Sequence, residues 1–449
     1  MSTNPMIQGN EESFFAGDAP VGMPGAGTSG SNGCPHHTAA LGASYNPFDP
    51  DFLQDPHKFF TKARREAPVC YNPIFNMWLV TGYAEVLKVC EDTTLFSSKN
   101  KVDPPNDIHP EVLEILRTEG FPVVLQLFNS DPPEHDRISA LVNQGFSAQH
   151  LQAAVPGMYQ LAHQLVDAFP ADRKVELRAA YADPFPLSTI LDFIGVPAVD
   201  HAQVKVWDDW WARLFTSAHA IDEQMHAVRQ VVEYQHYFNN LINDRRARPK
   251  NDLTSRLVAA SVEGAEPLRN DEMIWQFMGL LAAGHATTTD ALTNLLLIIL
   301  REPGRWNYLH SHREEIPSYI DEGLRFANPV LGLPRVATRE VELGGVTIPE
   351  GGQVLVSFCS ANRDDRLTPH ADAFNPSREG VTRHLGFGKG LHYCVGARMS
   401  RNMMRVAIEV LLDRVPTLHL EEHYSPEHTV HPFLWGLARL PLRWDSQIS

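Results

Sequence analysis

Phe387-Gly388-Lys389-Gly390-Leu391-His392-Tyr393-Cys394-Val395-Gly396 is the stretch whose reading decides the fold. Its glycines at 388, 390 and 396 permit backbone conformations and close approaches that side chains would block. The residues that follow, Ala397 to Leu412, carry helical periodicity, which places Cys394 at a predicted helix N-terminus. Free N–H groups and the helix dipole lower a thiol pKa there and stabilise a thiolate. The plain alternative is a glycine-rich turn holding an inert, buried cysteine, and a lone Cys-x-Gly would favour it. The number of special residues packed into ten positions argues the other way.

Working outward, the chain has 449 residues, 43% of them hydrophobic, enough for a large core. A formal net charge of −16 favours solubility and argues against nucleic acid as a partner. The five cysteines (34, 70, 90, 359 and 394) are scattered, with no disulfide framework, no CxxC and no CxxCH, a usage that suits a reducing cytoplasm. No lysine or arginine precedes Lys58, which speaks against a secretory leader. The most apolar run, Met273 to Leu300, is broken by Gln276, His285, Asp290, Asn294 and four threonines, so no membrane span is expected.

Residues 1–45 are rich in Gly, Ser, Pro and Asn and read as a flexible tail, and residues 46–449 as one large domain. Cys34-Pro35-His36-His37 has metal-ligand residue types, but in such a tail the set is read as binding nothing specific. A helix is expected from Pro56 to Glu66, then a hairpin of Val69–Tyr71 and Met77–Thr81. Asp131-Pro132-Pro133-Glu134 opens another helix. Gln149 to about Leu300 is helical in period, and Arg335 to Phe358 is β-rich, with turns at Gly344-Gly345 and Glu350-Gly351-Gly352. The fold class is mainly α with smaller β-sheets.

The ten-residue stretch resembles the haem-binding signature of the cytochrome P450 family, F-G-x-G-x-H-x-C-x-G, at every fixed position. The resemblance implies haem b with Cys394 as axial ligand and metal-binding residue, Phe387, Gly388 and Gly396 shaping the loop, and His392 directed to a haem propionate. A thiolate ligand suits an iron that must drive O–O cleavage. Glu322 and Arg325, with Arg378 in Phe374-Asn375-Pro376-Ser377-Arg378, match the family's structural Glu-Arg-Arg cluster. Arg335 and His135 match propionate partners. Where the family often has an arginine four residues after that histidine, this chain has Ser139, and Arg137 is read as the substitute.

Ala283-Gly284-His285-Ala286-Thr287-Thr288 resembles the family's oxygen-binding helix, with Ala283 and Gly284 letting it approach the porphyrin and Thr287 organising water near dioxygen. The family usually has Asp or Glu before that threonine, whereas this chain has Ala286. A methyl group relays no proton, so His285 or Asp290 is expected to take over, Asp290 foremost because it lies four residues on, near the same helical face. The resemblance places Ala282, Ala283, Val330, Leu331, Phe433 and Leu434 around an uncharged, largely apolar substrate. Trp207, Trp210 and Trp211 share a helical face read as core packing.

Only 55 residues follow Cys394, with no dinucleotide-binding or iron–sulfur motif, so electrons are expected from a separate ferredoxin or flavodoxin with its NAD(P)H-dependent reductase. Arg378, Arg383, Lys389, Arg398, Arg401 and Arg405 surround the cysteine loop and suit an acidic donor. The implied activity is a cytoplasmic monooxygenase using O2 for hydroxylation or oxidative dealkylation. The alternatives are a haem-thiolate enzyme that uses peroxide or reduces a small oxide, and a non-catalytic gas-binding haem protein.

Overall fold

Caps and prolines open many of the helices, the expected one at Pro56 among them. Asp49 and Asp55 accept backbone N–H groups ahead of Pro50–Gln54 and Pro56–Glu66, and Ser147 and Asp252 do so for Ala148–Asp167 and Leu253–Ala259. The computed structural model describes residues 40–99, 108–216 and 220–445. Cys34, His36 and His37 lie outside the described residues, as does most of the expected tail. The expected start of order at residue 46 is late. Leu41 and Tyr45 are buried among Phe52, Phe59 and Phe60, and Asn72 Nδ2 donates to the carbonyls of Gly42 and Tyr45.

The helix Asn270–Arg301 runs through the molecule for about 48 Å at 1.5 Å per residue. It packs on Pro184–Ile194, Ile221–Ala247, Ile316–Phe326 and Ala397–Arg414, and most of its side chains are buried. A helix apolar on nearly all sides is the mark of a core element. Among the described residues no helix is long and apolar enough to cross a membrane.

The β-structure is small. Five strands run in the order Val69–Asn72, Met77–Val80, Gln353–Val356, Leu333–Ala337 and Phe96–Ser97, with only the second pairing parallel. Val341–Leu343 and Val346–Ile348 form a hairpin whose turn glycines, 344 and 345, both have positive φ. A further sheet joins Lys174–Glu176, Pro441–Arg443 and His419–Leu420. The helical period read across 149–300 hides a break: Arg178–Ala182 is a π-helical turn, in which Asp183 N–H reaches back to Arg178 O at 2.8 Å. Trp207 packs against Tyr234 and Tyr237, in keeping with a core role.

Buried His57 sits edge-on to Trp435, 3.7 Å from Cys359 Sγ. Burial, then the charges of Arg363, Arg64 and Arg325, hold its pKa well below the ordinary histidine value. The unfolded chain therefore binds a proton below about pH 6.5 that the folded chain refuses, so stability falls as pH drops through that value and is unaffected above it. The expected slope from this residue is up to about 1.4 kcal/mol per pH unit. Urea denaturation of His57→Gln between roughly pH 7 and pH 5 should show a shallower acid loss than the parent. An identical slope would place the acid sensitivity elsewhere.

Candidate active site

The cysteine loop is held from behind by a buried ion cluster. Arg325 grips Glu322 with Nε and Nη2 at 2.7 and 2.8 Å, both side chains being almost fully buried. The remaining donors of Arg325 go to the carbonyls of Asn362, Ala371 and Ala373. Glu322 also accepts from Asn375 N–H at 2.7 Å and faces Arg378 Nε at 3.5 Å. One residue earlier, Asp321 accepts from Arg401 Nε at 2.8 Å and meets His384 at 3.1 Å. Arg401 lies 4.5 Å over the Phe387 ring, and Phe387 O accepts Cys394 N–H at 2.9 Å. Gly388 and Gly390 both have φ of 71°, and a Cβ on Gly390 would meet Cys90 O at 2.6 Å.

Cys394 precedes the helix Ala397–Arg414, as expected. Its thiol pKa is nevertheless raised: burial outweighs the lowering by Gly396 N–H, Arg401 and Ala397 N–H. The helix terminus alone does not yield a thiolate. Cys394 is exposed at the surface of the loop, whereas Cys70, Cys90 and Cys359 are buried. Cys359 is fully buried in an apolar cluster with Leu79 and Leu355, and burial pushes its thiol up to about 12.

His135 and His392 meet edge to face, with ring centres 4.6 Å apart. Both ring nitrogens of His392 are buried without a hydrogen-bond partner of good geometry, although Leu127 O lies toward the ring. Nδ1 of His135 is likewise unsatisfied, its approach to Asp136 being 3.6 Å. Burial, then the charges of Arg335 and His135, lower His392 to about 3. Arg335 is 7% exposed, and its hydrogen bond runs to Pro334 O. No carboxylate among the described residues pairs with it. The nearby Asp131 is engaged by Ser97 and Ser98. A buried cation beside unsatisfied imidazoles calls for an anion.

Arg137, expected in this group, is elsewhere. Glu134 and Glu272 hold it, and it donates to Glu266 O at 3.0 Å. The buried Glu272 needs a cation, and the i,i+3 spacing to Glu134 completes the clamp.

On the long helix, Ala283 is exposed and Ala282, Gly284, Ala286 and Thr287 are half-buried, amid neighbours that are closed off. Thr287 Oγ1 donates to Ala283 O at 2.6 Å, leaving its oxygen free to accept. Asp290 does not turn to this open stretch. Its carboxylate is bound by Arg178 at 2.6 Å and covered by Gly436, where a Cβ would lie 2.0 Å from Oδ1. His285 points into packed protein and meets Asp183 at 3.0 Å.

Val330 bridges to Leu434, and Leu331 N–H donates to Phe433 O at 2.8 Å, so these two segments come together. Leu331, expected in the substrate pocket, is fully buried in the cluster of Leu79 and Leu355. Leu331 precedes the strand Leu333–Ala337 and packs inward, and Leu333 is 40% exposed instead. Leu333 and Phe128, 53% exposed, went unread in the sequence.

The family model for cytochrome P450 matches residues 310–439. Cytochrome P450 monooxygenase PikC of Streptomyces venezuelae is 30% identical over 404 residues, covering 88% of this chain and 92% of its own. Mycinamicin IV hydroxylase/epoxidase of Micromonospora griseorubida is 34% identical over 371 residues, covering 82% and 85%. The chain belongs to the cytochrome P450 family. In structure it is similar to CYP109E1 of Bacillus megaterium, solved with testosterone, at a TM-score of 0.76 and 26% identity, covering 89% of this chain and 100% of that one.

As a P450 the chain is an oxidoreductase that carries haem b on a cysteine thiolate. The residues present fit that group: an open cysteine, and an unpaired buried arginine beside two unsatisfied histidines suited to propionates. Replacing Arg335 by leucine removes an uncompensated buried cation, so the haem-free protein should be as stable as the parent or more so. Haem retention should fall about 10- to 100-fold, the worth of a charged hydrogen bond of about 1.5–3 kcal/mol. Haem transfer to an acceptor protein measures this, and unchanged transfer would move the propionates away from Arg335.

Proposed function

We propose that this P450 inserts one oxygen atom of O2 into an uncharged, largely apolar organic molecule, with Cys394 holding the haem iron. The observation that carries the reading is the Cys394 loop, an accessible sulfur braced through Phe387 and Arg401 to the buried Asp321 and Glu322 cluster. Bound there, haem supplies the activation of dioxygen. Arg335, His135 and His392 take the propionates, and Thr287 holds water or substrate by its free lone pair beside the open Ala283. Ala282, Val330, Leu333, Phe433 and Leu434 offer an apolar wall that excludes water and orients substrate. The names of two similar proteins, one a mycinamicin IV hydroxylase/epoxidase and one solved with testosterone, support an organic substrate of appreciable size.

Electrons come from a separate ferredoxin or flavodoxin and its NAD(P)H-dependent reductase in the cytoplasm. Of the six basic residues around the loop, Arg378, Arg401 and Arg405 are committed to Glu322, Asp321 and Glu409. Arg383, Lys389 and Arg398 are exposed, which supports them as the docking charges. Ala286 favours a second reading, turnover with peroxide, because hydrogen peroxide brings its own two protons and needs none relayed by the chain.

The deciding experiment titrates the ferric enzyme with terpenes, aromatic ethers, alkanes and steroids. Any ligand that shifts the haem spin state then goes to NADH-driven turnover with a ferredoxin system. Oxygenated product is expected with the ferredoxin system, and turnover only with peroxide would select the second reading. Cys394→Ser should lose the thiolate-type spectrum of the ferrous CO complex, and an unchanged spectrum would dismiss Cys394 as ligand. Arg398→Glu should slow reduction by an acidic ferredoxin at low salt while leaving the spin-state titration unchanged, an effect that shrinks at high salt. Equal rates at low salt would remove this docking face.

A further inference from the structure

Three helices enclose a cavity of about 170 Å³ whose lining includes none of the residues placed at Cys394, Arg335 or Thr287. Ala154, Gly157 and Met158 of Ala148–Asp167 form one side of it, Thr189 and Phe193 of Pro184–Ile194 the second, and Arg256 of Leu253–Ala259 the third. A Cβ on Gly157 would meet nothing within 4 Å, so the helix leaves the space open at that point. Ile190, next to Thr189, packs so close to the long helix that a Cβ on Gly284 would lie 2.6 Å from its Cδ1. The cavity is therefore one helix removed from the open face at Ala283.

Two polar groups in this lining are left unsatisfied. Thr189 is 5% exposed, and its Oγ1 is buried with no hydrogen-bond partner among the described residues. Arg256 Nη1 is buried without a partner as well. Its Nη2 donates to Asn251 Oδ1 at 2.7 Å, and the guanidinium lies 5.6 Å over the Phe193 ring. Asp252, four residues before it, is committed elsewhere, accepting Arg245 Nε at 2.5 Å and Ser255 N–H at 2.8 Å. Burial lowers the Arg256 pKa, and the charge of Asp252 only partly opposes it. His150, which also lines the cavity, turns Nδ1 to Gln144 O at 3.2 Å. The carboxylate in the lining is Asp192, whose side chain is 58% exposed and faces His201 Nε2 at 3.5 Å. A solvated acid beside an imidazole weighs less than a buried guanidinium with an unused donor, so the cavity favours an anion.

The volume and the apolar side chains set the rest of the ligand. An apolar cavity of roughly 150 Å³ holds benzene, and here Ala154, Met158 and Phe193 supply apolar surface in a space of that order. We propose that this cavity is a second ligand site, for a small aromatic carboxylate whose ring lies against Met158 and Phe193 and whose oxygens accept from Arg256 Nη1 and Thr189 Oγ1. An inorganic anion would satisfy the guanidinium but leave the apolar surface wet. An aromatic amine would gain Asp192 at the cost of facing the buried guanidinium, a like charge. The site uses no haem chemistry, so it stands independently of the monooxygenase reading.

The test uses the haem-loaded protein with benzoate as the probe, bound heat being measured by titration calorimetry beside the haem spectrum. Benzoate should bind without changing the spin state. Benzamide, which lacks the charge, benzylamine, which reverses it, and inorganic phosphate, which lacks the ring, should each bind about tenfold more weakly or worse. Arg256→Leu should weaken benzoate about 10- to 100-fold and Thr189→Val about threefold to tenfold. Gly157→Leu, which fills the open space, should abolish binding. All three variants should keep the parent's ferrous CO spectrum, and the ligand series on the parent decides the charge and class of ligand even where a variant does not. Phosphate binding as tightly as benzoate would leave a plain anion site, and tighter benzylamine would give the cavity to Asp192. Either result overturns the aromatic carboxylate. Benzoate that shifts the spin state and survives all three substitutions lies in the haem pocket, and that outcome, like absence of binding at millimolar benzoate, overturns the site.

Discussion

The buried pairing of Glu322 with Arg325 is the constraint on which the site depends. An ion pair taken wholly out of water carries a desolvation penalty that Coulomb attraction alone rarely offsets. Here the deficit is met by geometry, with a two-pronged Arg–carboxylate contact, three backbone carbonyls accepting the other arginine protons, and Asn375 N–H on the carboxylate. Those carbonyls belong to residues 362, 371 and 373, an irregular segment with little core of its own. Breaking the pair would strand a charge and release that segment. Because Asn362 Oδ1 holds Leu385 N–H at 2.6 Å, the loop leading to Cys394 would lose its anchor as well.

The long helix divides the labour between its faces. Small residues at Ala282, Ala283 and Ala286 keep one face open, while Gly284 lies close against Ile190 and the other sides are filled by neighbours. The π-turn Arg178–Ala182 explains how one short segment grips the helix at several points. Arg178 and Asp183 are five residues apart, about 140° round an α-helix but far closer in angle when the turn widens. Arg178 then holds Asp290, Ala182 O accepts from Thr289 at 3.0 Å, and Asp183 holds His285.

Much of this was legible in the sequence because it is local. The Pro56–Glu66 helix, the hairpin glycines and the Cys394 loop all act within a few residues, and their patterns survive without tertiary knowledge. What escaped depended on partners distant in sequence. Arg137 looks like any arginine near His135 until Glu272, 135 residues away, claims it. Asp290 shares a helical stripe with Thr287, yet Arg178, 112 residues away, turns its carboxylate aside. Leu331 is apolar in either setting, and only its packing with Leu79 and Leu355, far off in sequence on either side, separates a pocket wall from a core.

The state of Cys394 shows the same limit in energetic form. A helix N-terminus stabilises an anion through N–H groups and dipole, typically by about 0.3–1 kcal/mol and up to about 2 kcal/mol when partly buried. Enclosing a thiolate in protein works against it, and in this fold enclosure wins, so the thiol is raised although Gly396 N–H, Arg401 and Ala397 N–H all favour the anion. A metal cation changes the balance, because a coordinated thiol gives up its proton outright. The loop therefore fixes where the sulfur sits and limits the penalty for charging it, and on the proposed ligation the charge itself would arrive with the iron. On this view Arg401 has two tasks, bracing Phe387 against Asp321 and placing positive charge near the sulfur. That is why it belongs to the interior machinery rather than to the docking charges proposed at Arg383, Lys389 and Arg398.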